Sequence, residues 1–268
     1  MSLTGKTLSS TYKSLLRVND DSNGVDTALE AVTDGEGTAS SISISDDQLK
    51  VQPQNDNVAG TFTVANASGS AMFSVNANDT PNGVKVGTGQ VYANTQYAHF
   101  SASYIDAAWA GALANTHYAV PFNNTTTASG VIANIGLGTS TDPATSLTIS
   151  DSAMDIIQCY WHVPDNIVIQ KVLWWHAADT ATGDTTRAHL MSYDVVTTAG
   201  ATSGDLSNGA VIAASSDITN AGYEQAYYNE MTISSSSVSA GKVILFVFRS
   251  DSVNSDYTIS ATIKYHLV

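Results

Sequence analysis

The stretch KVILFVFRSDSVNSDYTISATIKYHLV, residues 242–268, places two strands of different character side by side. In the second, Tyr257, Ile259, Ala261, Ile263 and Tyr265 alternate with Thr258, Ser260, Thr262, Lys264 and His266. That period of two belongs to a strand with one face on a core and one in water. In the first, both parities are apolar: Ile244, Phe246 and Phe248 on one side, Val243, Leu245 and Val247 on the other. NIVIQKVLWWHA, residues 166–177, repeats the property, with Leu173 and Trp175 on one parity and Val172 and Trp174 on the other. An antiparallel strand that is apolar on both faces needs a cover beyond its own sandwich core. A subunit interface is the expected cover; a loop of the same chain is the alternative.

Outward from these strands, the chain from about residue 110 holds further rich runs: HYAVPF, SLTIS, DIIQCYWHVP, RAHLMSYDVV, AVIAAS and AYYNEMTIS. Eight or nine strands over about 150 residues, with no helix between them, predict an antiparallel sandwich of jelly-roll size. Upstream the texture thins. Between about residues 40 and 90, SISIS, QLKVQ, GTFTVAN, MFSVN and GVKVG are short alternating strands, each followed by Asn, Asp or Gly. Each offers too few apolar side chains to build a core within one chain, so intertwining with identical chains is the economical solution. A small independent β-domain is the alternative.

The first section carries the helical patterns, TYKSLLRV and VDTALEAV, both too short to stand alone in water. Leu15, Leu16 and Val18 in the first, and Val25, Leu29 and Val32 in the second, therefore need another surface. Gly35 and Gly37 mark a turn, after which Ile42, Ile44, Leu49 and Val51 begin the period of two.

Composition narrows the function. Of 268 residues 43% are apolar, enough for a real core, while only 13% are charged, which favours strands and turns over helices. A net charge of -14 with ten Lys and Arg argues against nucleic-acid binding. The opening MSLTGKTLSSTYKSLLRV lacks the apolar run of a secretory signal, and no later run is long enough for a membrane helix. The single cysteine, Cys159, allows no intrachain disulfide.

Candidate chemistry is sparse. Cys159 and His162 suggest a nucleophile and base, but side chains three apart on a strand point to opposite faces, and a buried core cysteine is the better reading. His162, His176 and His189 could meet as a metal site, yet no carboxylate partner or spacing motif supports one. The acidic residues lie mostly in turn contexts, which leaves a glycan-cleaving carboxylate pair unsupported. NDDSNGVDTALE, residues 19–30, matches the spacing of an EF-hand loop through Asn19, Asp21, Asn23, Gly24 and Glu30. The exiting helix would meet Thr33, Asp34 and Gly35 within a few residues, so the stretch reads as an Asn/Gly turn between two short helices. The sequons at Asn66, Asn78 and Asn124 are expected by chance in so Asn- and Thr-rich a chain. Trp109, Trp161, or one of Trp174 and Trp175 could stack on sugar rings if exposed; core packing is the commoner fate. No catalytic, metal or cofactor residue is assigned.

The segment GKTLSSTYKSLLRVNDDSNGVDTALEAVTDGEGTASSISISDDQLKVQPQN resembles the virion-anchoring head of fibre proteins from tailed bacteriophages, especially podoviruses of marine bacteria. HVPDNIVIQKV and SAGKVILFVFRSDSVNSDYTISATIKY are similar to the β-sandwich tips of phage fibres. The resemblance implies an elongated, all-β, homotrimeric virion protein: a virion-anchoring segment with short helices at 1–58, a β-repeat stalk at 59–110 and a jelly-roll-like knob at 111–268. It further implies a non-enzymatic tail fibre or head fibre, bound to tail or capsid proteins through its N-terminal segment. The knob would face a host surface glycan or outer-membrane protein, with no nucleic acid and no membrane insertion. A carbohydrate-binding or glycan-cleaving β-sandwich unconnected with a virus is the alternative from another class.

Overall fold

The computed structural model describes residues 15–20, 22–55, 60–78, 83–87, 89, 91–105, 114–123, 136–149, 156–179, 183–222, 225–252 and 256–268. The chain is all-β and forms two compact units, Met1–Ala93 and Asn94–Val268.

The first unit holds two separate antiparallel sheets. In one, β1 (Arg17–Val18), β2 (Glu30–Thr33), β3 (Ala39–Ile44) and β4 (Leu49–Val51) follow one another in sequence order. In the other, β5 (Phe62–Ala65), β6 (Ala71–Asn76), β7 (Gly83–Val86) and β8 (Val91–Tyr92) do the same. The helix predicted at VDTALEAV is not found, and the described part of the other, Leu15 to Val18, is not helical. The last three residues of VDTALEAV lie in strand β2, and Arg17–Val18 of TYKSLLRV pairs with it, Arg17 opposite Thr33 and Val18 opposite Val32. Thr11 to Ser14 lie outside the described residues.

The reason is local. Asp20 Oδ1 accepts the backbone N–H groups of Ser22 and Asn23 at 2.7 and 3.1 Å, and Asp26 Oδ1 accepts that of Ala28 at 2.7 Å. Such side-chain bonds hold the backbone in turns and compete with a helical ladder too short to win. The Asp20 carboxyl is accordingly held below its ordinary range by the Ser22 and Asn23 N–H groups. The turn at Gly35 and Gly37 is found as expected, with Asp34 Oδ1 accepting from Glu36 and Thr38 and Gly37 at φ 87°.

The second unit begins earlier than the thickening of the sequence. β9 (Thr95–Ile105), which the sequence reading assigns to the stalk, pairs along its length with β20 (Asp256–Leu267), Tyr97 opposite Lys264 and Ser101 opposite Ser260. With β12 (Ile167–Asp179), β16 (Gln225–Glu230) and β18 (Ser237–Val238) these strands make a five-stranded antiparallel sheet, order β16-β12-β20-β9, with β18 on β12. A seven-stranded sheet packs on it in the order β10-β19-β13-β14-β17. Its path comprises β10 (Tyr118–Val120), β19 (Lys242–Ser250), β13 (Thr185–Val195), β14 (Leu206–Ala214) and β17 (Thr232–Ile233). β11 (Trp161–His162) and β15 (Ile218–Thr219) pair with β19 and β13 respectively.

Between the sheets lies a core of Phe100, Trp161, Val172, Trp174, Leu190, Ile244, Phe246, Phe248, Ile259 and Ile263 with their neighbours. A second core covers the other face of the seven-stranded sheet: Val243, Leu245 and Val247 of β19 and Met191 and Tyr193 of β13 meet Leu137, Ile149, Ile156 and Cys159. The cover is therefore the chain's own segment between β10 and β11, in place of the expected subunit. It is tied down by Leu147 and Leu206, which exchange backbone bonds of 2.9 and 2.8 Å, by Tyr193 Oη to Ala144 O at 2.9 Å and by Tyr160 Oη to Gly204 O at 2.9 Å. Gly209 is needed beneath it, because a Cβ there would lie 2.8 Å from the Thr145 Cα and 2.5 Å from the Tyr193 ring.

Candidate functional site

The other doubly apolar strand has a different fate. Along β12, Ile167 and Ile169 point into the core, yet so do Val172, Trp174 and His176, which are of the opposite parity. The change of parity is made at Gln170, where the pairing with β20 slips: Ile169 faces Tyr265 and Lys171 faces Lys264. This β-bulge decides which tryptophan is buried. Trp174 is fully enclosed, stacked on His176 at 4.8 Å, while Trp175 is 52% exposed on the outer face of the five-stranded sheet.

The pairing register lays out that face row by row. Tyr228, Trp175, Ser260 and Ser101 form one row; Glu230, Leu173, Thr262 and His99 the next; Lys171, Lys264 and Tyr97 a third. On the other side of the tryptophan row stand Ala226, Ala177 and Thr258. The Trp175 and Tyr228 rings lie 5.0 Å apart at 47°, and Tyr228 is 50% exposed. Both are thus large aromatic surfaces in water, flanked by Ala226 and Ala177 on one side, by Glu230 and Leu173 on the other and by Ser260 across the neighbouring strand.

The polar groups of the face are modest. Lys171 Nζ meets Glu230 Oε1 at 3.2 Å, both side chains half exposed, and His99 Nδ1 lies 3.2 Å from Thr262 Oγ1. Lys264 makes no ion pair among the described residues. Glu230 is the only carboxylate in these rows, so they do not present the acid pair that glycan hydrolysis requires.

The remaining sequence candidates are scattered. Cys159 is buried in the second core with Sγ 3.6 Å from Ala119 O, and His162 is exposed. His176 sits between the two sheets, its Nε2 3.2 Å from Asn220 Oδ1 and 3.3 Å from Thr186 Oγ1. His189 lies on the far side of the seven-stranded sheet, 5.1 Å from the His117 ring and 3.3 Å from Asp142 Oδ1. His162, His176 and His189 do not converge, and no group of His, Cys, Asp and Glu fit for a metal occurs among the described residues. Burial pushes the His176 imidazole down to about 4. Burial and the neighbouring His117 hold His189 down to about 4 as well. Trp161 is buried against Phe122 and Tyr265; Trp109, Asp21 and Asn124 lie outside the described residues. The EF-hand reading loses its exit helix, since Glu30 is a strand residue opposite Ile44.

No protein-family model matches the chain, and no curated protein is significantly similar to it.

Proposed function

We propose that the chain is a non-enzymatic, homotrimeric fibre protein of a tailed-phage virion, attached through its N-terminal section and presenting the Asn94–Val268 sandwich to the host surface. The observation that carries the reading is the bareness of the first unit. Among the described residues none of its apolar side chains is buried; Thr33 and Ser74 alone are. Its second sheet nevertheless gathers Phe62, Val64, Phe73, Val75, Val84, Val86 and Val91 on one face, through the pairs Phe62–Val75, Val64–Phe73, Phe73–Val86, Val75–Val84 and Val86–Val91. Phe62 is 43% exposed and Val64 50%. Each such side chain is worth about 1.5–3 kcal/mol when fully buried, so a sheet left in this state favours association.

Identical chains around a symmetry axis supply the missing layer with no second gene product, because every copy brings the same apolar face. The low charge and the Ser, Thr and Asn surface fit a fibre shaft, and the resemblance of the N-terminal segment to virion anchors supplies the place of attachment. Sedimentation should give three times the chain mass of 28.0 kDa. A folded monomer at micromolar concentration would end the fibre reading, and so would absence of the chain from purified particles.

A further inference from the structure

We propose that the open face of the five-stranded sheet binds an acidic glycan, with a sugar ring against Trp175 and Tyr228 and an anionic substituent at Lys264 and Lys171. This deepens the fibre reading by giving the sandwich a ligand of stated chemistry. A tryptophan turned outward by a bulge, beside a half-exposed tyrosine at 5.0 Å, offers the tilted aromatic pair on which a pyranose ring can lie. Ser260 and Ser101 continue the aromatic row, and Thr262 and His99 the next, placing hydrogen-bonding groups where ring hydroxyls would fall.

Charge selects the kind of glycan. The chain has ten Lys and Arg against 24 Asp and Glu, yet Lys171 and Lys264 stand directly opposite each other on neighbouring strands. Like charges in that position repel. Glu230 relieves Lys171 through a half-exposed pair of little net strength, and Lys264, with no ion pair among the described residues, stands open to an external anion. Lys171 is four residues from Trp175, about 13 Å along a strand, so a short saccharide could span from the rings to the ammonium groups.

A second copy of the chain is the competing occupant. It fits less well, because the large apolar contacts of the rows are few, Leu173, Trp175, Tyr228 and Tyr97, and the last of these lies in the row of the two like-charged lysines. A stable interface engages about 20–30 residues a side. Weak single-site affinity suffices for a glycan, since three copies on one fibre raise the effective concentration.

The test applies the full-length protein to an array carrying uronate-, sialate- and sulfate-bearing oligosaccharides beside neutral glucans. Retention of one or more acidic glycans is expected, weakened by rising salt, reduced about tenfold or more by Trp175→Ala and by Lys264→Glu, and kept by Trp175→Tyr. The unfolding midpoint of Trp175→Ala should stay near that of the parent, which separates lost binding from lost fold. Absence of acidic-glycan binding, retention of neutral glucans alone, or binding indifferent to Trp175→Ala would overturn the proposal. Dissociation of the oligomer by Trp175→Ala would instead assign the face to a second copy. A monomer that binds acidic glycans through Trp175 would remove the fibre reading and leave this one standing; a virion-borne trimer without Trp175-dependent binding would do the reverse.

Discussion

In the first unit, alternation of apolar and polar residues yields sheets whose apolar side chains are left unburied among the described residues; in the second, the same alternation yields one sheet covered on both faces and a partner sheet covered on one. Val64 and Phe62 are about half exposed, while Phe246 and Leu245, on opposite faces of one strand, are both fully buried. Strand pattern alone therefore does not confer stability. A second layer does, and the second unit supplies its own: one sheet packs on the other, and the segment between β10 and β11 closes the outer face of the seven-stranded sheet. A sheet with one apolar face needs a second layer to bury it, and the described residues of the first unit show no buried apolar side chain.

The sharpest way to break this contrast is to separate the two units. A fragment of residues 94–268 should unfold in one cooperative transition, whereas a fragment of residues 1–93 held as a monomer should show no cooperative transition at all. A cooperative monomeric 1–93 fragment, by calorimetry, would mean that its thin sheets are self-sufficient. Point changes should divide in the same way. Phe246→Ala empties the centre of the sandwich and should cost about 3–5 kcal/mol in denaturant unfolding. Val64→Ser should leave the sandwich transition where it is and instead lower the association constant. A shift of the sandwich transition by Val64→Ser, with association unchanged, would reverse the assignment of roles.

Much of this division is legible in the sequence, because burial leaves a periodic trace. Tyr257, Ile259, Ala261 and Ile263 are all buried, as their alternation predicts, and the double parity of KVILFVF marks a strand with two cores. What covers that second face is not legible, since the covering segment is rich in Ser and Thr and contributes only scattered residues such as Leu137 and Ile149. The helix expected at VDTALEAV fails because a short apolar spacing of three and four cannot be told from a turn followed by a strand once Asp20 and Asp26 bond the backbone. The exposed tryptophan is hidden for another reason. A bulge at Gln170 shifts the parity midway along β12, and no residue type there announces it. β9 does not stand out as a sandwich strand in the sequence, because its inward residues Ala98 and Ala102 are small and only Phe100 is large.

Acid should expose the cost of the polar groups inside the sandwich. His176 is buried as a neutral imidazole and burial holds it down to about 4, below the ordinary value of 6.5. Above the ordinary value both states are neutral, so the residue adds no pH dependence there. As pH falls from about 6.5 to about 4 the unfolded chain takes up a proton that the folded chain refuses, and stability drops by on the order of 3 kcal/mol from this residue. His176→Gln should flatten that part of the stability profile measured by denaturant unfolding, leaving the slope contributed by His189. An unchanged profile would show that the His176 side chain admits water or a proton on acidification. The first unit has no histidine, so association through its sheets should not follow this curve.

The smallest effect is expected at the rim of the sandwich, where Lys242 Nζ donates to Asp194 Oδ1 at 2.6 Å and Asn208 Nδ2 donates to Asp194 Oδ2 at 2.8 Å. The geometry is close, and the hydrogen bond from Lys242, followed by that from Asn208, holds the Asp194 carboxyl below its ordinary range. Yet the lysine is 27% and the aspartate 48% exposed, so water competes for both charges. Lys242→Met keeps the apolar stem against the sheet and removes the charge; it should cost less than about 1 kcal/mol, and less again in high salt. A lowered carboxylate value contributes stability that is present above the ordinary range and is lost as pH falls through the lowered one, so variant and parent should converge in strong acid. The check is a pair of denaturant titrations at neutral pH and low pH. A cost near that of Phe246→Ala would mean that rim electrostatics, and not the two apolar cores, make the second unit self-sufficient. It would also dissolve the contrast with the first unit, whose Lys85 and Tyr92 already form a rim contact, at 5.0 Å from ammonium to ring centroid, without giving that sheet a core.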